Sequence, residues 1–360
     1  MPIRPDDASI LAKEIRQIFA DSEILLLRRL AKALAAGVDE PQWVQEKLLA
    51  VQVVRRQLDA VLRDLDAAVP GAVERAIAFA YNQGIATAGG ELTKAGLGAA
   101  AFEIVQPTGA VVAFASSTLE RVVPMTFQIG RSVTDIYQQV INQVASQIAA
   151  GVLTRREAAR AALIKLTDNG VTGFRDASGR RWDMASYAEM ATRTGAAQAM
   201  LQGHTDRISE LGVDLVMVSD APEECVICRP FEGQVLSVSG ARTDEVLSDG
   251  VRVKTSLPLA RAAGLYHPNC RHSHTIYLPG ITKRLTDTED PEGDKLRQQQ
   301  RAFERRVREL KRRDAIDQEF GGPQAAATRA TLRAKQAEFK SWREANGRKN
   351  LAYRTSLVSR

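Results

Sequence analysis

Cysteine and histidine, two of the commonest zinc ligands in proteins, are concentrated in one stretch of this sequence. The chain has three Cys and four His, and six of these seven residues lie between positions 225 and 274. His204 is the one outside that stretch. Scattered placement would rarely give this grouping, and mixed thiol and imidazole side chains are a typical ligand set for zinc.

The spacing within the group predicts how an ion would be held. Cys225 and Cys228 form a C-x₂-C pair, and His267 and Cys270 form an H-x₂-C pair with the same separation. Two intervening residues let both side chains of a tight turn reach one ion, and Pro268 fixes one φ angle in the second turn. The sequence therefore predicts a structural zinc bound tetrahedrally by Cys225, Cys228, His267 and Cys270.

Several alternatives stay open. His272 or His274 could replace His267 as the imidazole ligand. The cysteines could be reduced thiols with no metal, or they could have a redox role. An odd number of cysteines argues against a disulfide framework.

No enzymatic motif accompanies the cluster. A zinc deaminase needs an H-x-E element before P-C-x-x-C, and the residues before Cys225 do not match it. A metal-dependent nuclease using His272 and His274 beside Arg271 lacks a supporting pattern of acidic residues. No glycine-rich phosphate loop is present.

Composition indicates a mainly helical chain. Of 360 residues, 44% are hydrophobic and only 5% aromatic, which favours packed helices over a β-sandwich or barrel. We predict an α+β fold, mainly α-helical, with an N-terminal helical bundle, a small β-rich module stapled by zinc and charged C-terminal helices. The expected segments are 1–110 (helical), 111–212 (helical), 213–280 (the Cys/His module) and 281–360 (charged helical arm).

Periodicity and capping signals predict the individual elements. Helices are expected over 9–36 and from Pro41 to a break at Pro70-Gly71, and a third from there to about Thr87. Further helices are expected over about 116–151, 184–211, 294–319 and 323–345. Thr154 and Glu157 have the spacing of a capping box at the start of another helix. A hairpin is expected just before 184, and four short strands are expected within 213–280.

The basic residues are concentrated in one segment. The chain carries a net charge of +6, and residues 295–313 contain nine basic and two acidic side chains. The basic residues are Lys295, Arg297, Arg301, Arg305, Arg306, Arg308, Lys311, Arg312 and Arg313. We predict a weak, sequence-independent contact of these side chains with DNA phosphates; an acidic protein surface or plain solvation is the alternative.

Apolar residues within the same region predict how it folds. Phe303, Val307 and Leu310 follow helical spacing, and Leu332, Phe339 and Trp342 lie on the next helix. We expect these two stripes to pack together as a helical hairpin.

No segment has the pattern of a membrane span or a secretory signal. The longest uncharged stretch, 104–119, is too short to span a bilayer and contains Pro107 and Gly109. Asp6 and Asp7 stand where the apolar part of a signal peptide would begin.

The region from about 126 to 280 resembles the minor capsid protein 2 family of phages and the related Mu F-like head-morphogenesis proteins. A helix with Arg193-Thr194 leads into a strand that ends at Ser219, followed by a Gly233-Gln234 turn and a terminal element, His267-Pro-Asn-Cys-Arg-His272. Many minor capsid protein 2 members have histidines where this chain has Asp220 and the Cys225–Cys228 pair. The cysteine pair is more similar to the Mu F-like proteins.

The resemblance implies a structural, non-enzymatic protein of a tailed bacteriophage. It implies a location in the phage head, reached after assembly in the host cytoplasm, and contact with the portal or the major capsid protein. We expect the N-terminal helical half, 9–150, to make that contact. A nucleic-acid-binding zinc-containing protein unrelated to virions is the alternative, and a metal-dependent nuclease is a weaker one.

Overall fold

The computed structural model describes residues 7–97, 109–149, 154–167, 173–175, 181–220, 226–283 and 290–357. The described chain is mainly helical and has two small sheets, which confirms the predicted α+β class. The helices are α1 (Asp7–Ala35), α2 (Trp43–Lys94), α3 (Gly109–Ala149), α4 (Arg155–Leu166), α5 (Met184–Glu210), α6 (Leu257–Ala262), α7 (Pro291–Phe320) and α8 (Pro323–Ala345). The strands are β1 (Gly173–Arg175), β2 (Arg181–Asp183), β3 (Leu215–Val218), β4 (Val235–Ser237), β5 (Val253–Ser256) and β6 (His274–Ile276).

The chain folds into two compact units, each assembled from separate stretches of sequence. Unit 1 comprises Met1–Glu14, Gly71–Glu120 and Glu189–Gln298. Unit 2 comprises Ile15–Pro70, Arg121–Ala188 and Gln299–Arg360. The four segments expected from the sequence stay a prediction about domain organisation.

Most helix boundaries follow the signals in the sequence. The predicted capping box at α4 is confirmed: the Thr154 side chain accepts from the Glu157 backbone N–H at 3.3 Å, and the Thr154 N–H donates to the Glu157 carboxylate at 3.1 Å. Gly37 follows α1 with φ of 63°, the left-handed conformation that ends helices.

The predicted break at Pro70-Gly71 is wrong, because α2 continues through both residues. A proline inside a helix costs about 3 kcal/mol, since it removes a hydrogen bond and crowds the preceding turn. Buried apolar side chains on both sides, including Leu65, Val69 and Val73, each 1% exposed or less, offset that cost through packing.

Unit 1 contains the four-stranded sheet, in the order β5-β4-β3-β6. Strand β3 pairs antiparallel with β4 and β6, and β4 pairs parallel with β5. All four strands lie where the sequence predicts them. One core cluster of the sheet is formed by six buried side chains: Leu215, Met217, Val235, Leu247, Val253 and Tyr277.

Helices α2 and α5 approach unusually closely in unit 1. A Cβ built on Gly84 would lie 1.9 Å from the Met200 carbonyl oxygen, and one on Gly203 would lie 2.2 Å from the Tyr81 carbonyl oxygen. Both glycines therefore allow backbone-to-backbone contact that no larger residue permits.

Unit 2 contains the β1–β2 hairpin, which is antiparallel as predicted. The sequence predicts the turn of this hairpin at Ser178-Gly179, which lies outside the described residues. Unit 2 also contains the predicted hairpin of α7 and α8. Val307, Leu310, Leu332 and Phe339 form a buried cluster, with Phe303 and Trp342 packed against it. This confirms the two apolar stripes.

Truncating Leu332 to Ala should destabilise this helical hairpin by about 2 kcal/mol, at the low end for such substitutions because the site lies near the surface. Hydrogen exchange in α8 measures the change. Arg333→Ala, at the exposed neighbouring position, is the control and should change the value by less than about 0.5 kcal/mol. Equal effects of the two substitutions would contradict the packing account.

Internal acidic partners engage much of the predicted basic segment. Arg308, predicted to contact DNA, is only 4% exposed and binds Asp183 at 3.1 Å. Its guanidinium is thus used inside unit 2, which corrects that assignment. Arg312 pairs with the buried Glu23 at 3.0 Å. Over the whole of α7, nine basic residues are accompanied by seven acidic ones, so the helix is far less basic than its central segment.

None of the helices within the described ranges combines the length and the apolar character required to cross a bilayer.

Candidate metal centre

Two thiols and one imidazole converge beside the four-stranded sheet. The ligand atoms of Cys228, Cys270 and His272 all lie within 4.8 Å of one another. The two Sγ atoms are 3.5 Å apart, and Cys270 Sγ lies 3.4 Å from Nδ1 of His272. Distances of this size allow all three atoms to reach one ion.

The strand pairing holds these residues together. Cys228 lies in the connection from β3 to β4, and Cys270 and His272 lie just before β6. The Gly233 N–H donates to the Val218 carbonyl at 3.1 Å, and the Ser219 N–H donates to the Ser273 carbonyl at 2.8 Å. Since β3 lies between β4 and β6, both ligand-bearing loops leave the same end of the sheet.

The loop before Cys270 has an uncommon backbone conformation. Tyr266 and Asn269 have φ angles of 62° and 70°. Asparagine tolerates this left-handed region, whereas a tyrosine there costs about 1–3 kcal/mol. The Tyr266 hydroxyl, 2.9 Å from Nδ1 of His274, helps to fix the turn. Strained turns of this kind occur preferentially at functional sites.

The environment favours a thiolate at Cys270. The hydrogen bond with Cys228 is the largest cause that lowers the pKa of Cys270, to about 4, against the effect of burial. His272 contributes through its side chain and its charge, and its backbone N–H lies 3.4 Å from the Cys270 sulfur. A thiolate is the form that binds metal ions.

A buried carboxylate orients the imidazole. Nε2 of His272 donates to Glu232, and both side chains are at least 95% buried. Burial acts to lower the pKa of His272, but the neighbouring Cys270 and Glu232 outweigh it and raise the pKa. The bond to Glu232 leaves Nδ1 directed at the two sulfurs. A metal-binding histidine usually has such a carboxylate or carbonyl partner on its second nitrogen.

The structure brings two of the four predicted zinc ligands together. Cys228 and Cys270 are in the cluster, and Cys225 lies outside the described residues. His267 is half-buried, and its Nδ1 donates to the Pro268 carbonyl at 2.7 Å. The imidazole that the structure places against the thiols is that of His272, an alternative ligand in the sequence.

Sequence reasoning missed a second polar cluster, formed by Glu91, His204 and His274. His204 is fully buried, and its Nε2 lies 3.1 Å from the Glu91 carboxylate, which also accepts from the Ile276 N–H at 2.9 Å. The ring of His204 meets that of His274 edge-on, with centroids 5.0 Å apart. Burial lowers the pKa of His274 well below its usual value, and His204 adds to the effect. The cluster joins α2 and α5 to β6. The one signal in the sequence for this cluster is His204, a lone histidine within an apolar helix pattern. A buried imidazole needs a hydrogen-bond partner, so its presence there indicates a polar contact.

The residues that carry the family resemblance are brought together in space. Arg193 on α5 donates to the Asn269 side chain and pairs with Glu189 at 3.3 Å. The hydroxyl of Ser219 accepts from the Ser273 N–H at 2.9 Å. Arg193 and Asn269 also line a small cleft beside Cys270 and His272. The motif thus describes one structural centre.

The donor set suits a metal ion of borderline softness. Two thiolates and one imidazole are typical zinc ligands, and Glu232 fixes the imidazole as an outer partner. The Cys228, Cys270 and His272 group could hold such an ion without rearrangement of the strands.

Fold and site together define a mainly helical protein with a small mixed sheet and a thiol–imidazole cluster suited to a metal ion. The family model described as phage minor capsid protein 2 matches residues 3–343. The chain belongs to this family, which confirms the resemblance drawn from the sequence.

A curated relative gives consistent information. A protein named "Structural protein" from Lactococcus phage LL-H is 22% identical over 211 residues, which is 57% of this chain and 57% of the relative. The aligned part therefore spans little more than half of that protein. No solved structure matches the chain. Family membership gives the chain a structural role in a phage and a place in the virion, and it is consistent with a non-enzymatic protein.

Proposed function

We propose that this protein is a minor component of a tailed-phage head. It contacts the portal or the major capsid protein through its N-terminal helical half, and a structural zinc stabilises its small sheet. It assembles in the host cytoplasm and acts by binding, not by catalysis. The family match over residues 3–343 carries the proposal.

Exposed apolar side chains on α2 support a protein contact there. Leu49 is 85% exposed and Val53 47% exposed, one helical turn apart, and Leu48 lies beside them. Large exposed apolar residues grouped on one helix face are a common feature of protein-binding surfaces.

Replacing both Leu49 and Val53 with Glu should reduce incorporation into heads at least tenfold, because two desolvated apolar contacts would become buried charges. The measurement is the amount of this protein in purified heads relative to major capsid protein. Ala68→Glu, at an exposed position further along the same helix, is the control and should not change incorporation. Normal incorporation of the double variant would contradict a contact at this surface.

Zinc is the metal that fits the site best. Cys228 and Cys270 supply two ligands, and Cys225 and one imidazole complete a tetrahedral set of the kind found in structural zinc sites. For the imidazole, the spacing favours His267 and the observed distances favour His272. When bound, the ion would supply a cross-link between the β3–β4 connection and the loop before β6. Such a cross-link would add stability to a small sheet, which has a small core.

Weak DNA contact is a second candidate function, which the surface of α7 supports. Arg305 and Arg306 are exposed, and the pairs that Arg306 and Arg313 form with Glu309, at 2.6 and 2.7 Å, lie at the surface. Surface pairs of this kind contribute about 1 kcal/mol or less, so phosphates can compete for the guanidinium groups.

The protein should therefore bind duplex DNA at low salt, without sequence preference and with an affinity that falls as salt rises. Arg305→Ala combined with Arg306→Ala should reduce the salt slope by about one unit for each phosphate that is no longer neutralised. Arg308→Lys, at the buried position, is the control and should leave the slope unchanged. Binding that is absent at low salt or insensitive to salt would contradict an interaction with phosphates.

A further inference from the structure

A short segment of unit 2 lies in a groove that recognises its main chain. Residues 349–357, named here the strap, follow α8 and contain a single turn of 3-10 helix at Ala352–Arg354. The groove is formed by side chains of α1 and α7. Neither the family nor the metal centre accounts for this arrangement.

Cationic side chains of the groove donate to backbone carbonyls of the strap. Arg16 donates to the carbonyls of Tyr353, Arg354 and Ser356, the second of these at 2.9 Å. Arg308 donates to the Arg354 carbonyl at 2.8 Å.

Two further donors on α7 extend the contact along the strap. Lys311 donates to the Thr355 carbonyl at 2.7 Å. Gln300 donates to the Lys349 carbonyl at 3.2 Å. Side chains with charged donors make stronger hydrogen bonds than neutral ones, and these bonds involve groups that every peptide carries.

One apolar side chain anchors the strap. Leu357 is 5% exposed and packs against Ile24 on α1 and Ala315 on α7. The Tyr353 ring lies under the Arg16 guanidinium, 5.9 Å from its centroid. The groove thus recognises a peptide main chain together with an apolar residue near one end.

The connection to the strap allows it to move as a unit. Residues 346–348 lie between α8 and the strap, and Gly347 there has a φ of 61°. Gly347 is exposed, and so are Lys349 and Asn350 at the start of the strap. Arg348 beside it is half-buried and donates to the Gln300 side chain at 3.0 Å, so release of the strap also breaks that bond. A glycine in the left-handed region lets the connection change its path without breaking either helix.

We propose that this groove is a peptide-binding site that exchanges straps between copies of this chain, so that residues 349–357 of a second copy occupy it. The observed occupant shows which peptide the groove fits, and a second copy carries the same peptide. Exchange of an identical element costs little, because the same contacts form in either arrangement.

The protein concentration determines whether a strap occupies its own groove or the groove of a second copy. A strap tethered by a short connection has an effective concentration of about 1 mM at its own groove. The closed form therefore dominates in dilute solution, and exchange requires crowded copies or a groove that lacks its own strap. A chain whose own strap is missing should accept one from another chain.

The test mixes two variants of this chain, each unable to seat its own strap in its own groove. The acceptor carries a deletion of residues 349–357. The donor carries Lys311→Glu and Ala315→Glu, which place acidic groups against the strap carbonyls and the Leu357 pocket. Each variant alone should be a monomer by light scattering, and an equimolar mixture should form a one-to-one dimer. A mixture that stays monomeric at concentrations up to about 1 mM would overturn the proposal.

A peptide experiment separates groove recognition from general stickiness. A labelled peptide of residues 348–357 should bind the acceptor, and the same peptide with Leu357→Asp should bind about 10- to 100-fold more weakly, because the buried leucine is absent. Equal binding of the two peptides, or no binding by an acceptor whose circular dichroism remains helical, would overturn the groove assignment. Peptide binding without dimerisation of the mixed variants would support the groove as a peptide-binding site but exclude a second copy as its partner.

A milder variant serves if the Lys311→Glu, Ala315→Glu donor fails to fold. Leu357→Asp in an otherwise unchanged chain removes only the apolar anchor of the strap, and that chain should then bind the unmodified peptide.

Discussion

The purified protein should contain one zinc ion per chain, and its removal by a chelator should loosen the four-stranded sheet while unit 2 stays folded. The ion would link the Cys228 turn to the loop that carries Cys270 and His272, so that its loss frees both loops. Structural zinc sites in small peptides contribute about 10–16 kcal/mol at neutral pH, which makes this a large expected effect even when reduced by the surrounding fold. Elemental analysis measures the stoichiometry. Hydrogen exchange in β4 and β6, compared with α8, measures the loosening.

Single substitutions can identify the imidazole ligand. If His272 binds the ion, as the distances favour, His272→Ala should abolish stoichiometric zinc and His267→Ala should retain it. If the spacing argument is right, the two variants will behave in the opposite way. Glu232→Gln should weaken zinc binding about 10- to 100-fold, because the carboxylate orients the His272 ring. A wild-type protein with less than half an equivalent of zinc and freely reactive thiols would refute the metal proposal.

The sequence predicts the location of this site well and its details less well. Clustering of Cys and His within 225–274 is a local property that any reader of the sequence can count. The choice between His267 and His272 depends on Glu232, which lies 40 positions before His272 and carries no local signal. The positive φ angles at Tyr266 and Asn269, which set the direction of the loop, also have no clear signature at a tyrosine.

The fold follows a similar pattern. The four short strands, the capping box at Thr154 and the stripes that pair α7 with α8 are predicted correctly, since each depends on periodicity or on a cap within a few residues. The continuation of α2 through Pro70 is missed because burial on both sides offsets a strong local breaker. Partners distant in sequence also explain why the prediction for Arg308 failed. Its guanidinium binds Asp183 and the Arg354 carbonyl, and neither partner can be identified from the residues around Arg308.

Gly84→Ala should destabilise unit 1 by about 3 kcal/mol or more, although alanine is intrinsically the better helix former. The new methyl group would lie 1.9 Å from the Met200 carbonyl oxygen and 2.8 Å from the backbone nitrogen of His204. Both obstacles are backbone atoms of α5, so no side chain can rotate away and the helices must separate. Overpacking of this kind costs about 1–3 kcal/mol and sometimes more. Thermal unfolding followed by circular dichroism measures the loss.

Gly90→Ala provides the control on the same helix. A Cβ there meets nothing within 4 Å, so the substitution should stabilise α2 by about 0.5–1 kcal/mol through reduced chain entropy. Loss of stability at both positions would show that α2 tolerates no added methyl group, and would remove the case for a specific contact with α5.

The reciprocal contact makes a sharper test. Gly203→Ala places its methyl group 2.2 Å from the Tyr81 carbonyl oxygen, on the opposite side of the same crossing. Since either methyl already forces α2 and α5 apart, the second should add less than its own cost, and the double variant should lose less stability than the two single losses together. Separation would also stretch the Glu91–His204 contact of 3.1 Å and the hydrogen bond from Tyr81 to Asp206 of 2.6 Å, both of which join the same two helices. Strictly additive losses would mean that the two glycines act independently and that the helices do not move as rigid bodies.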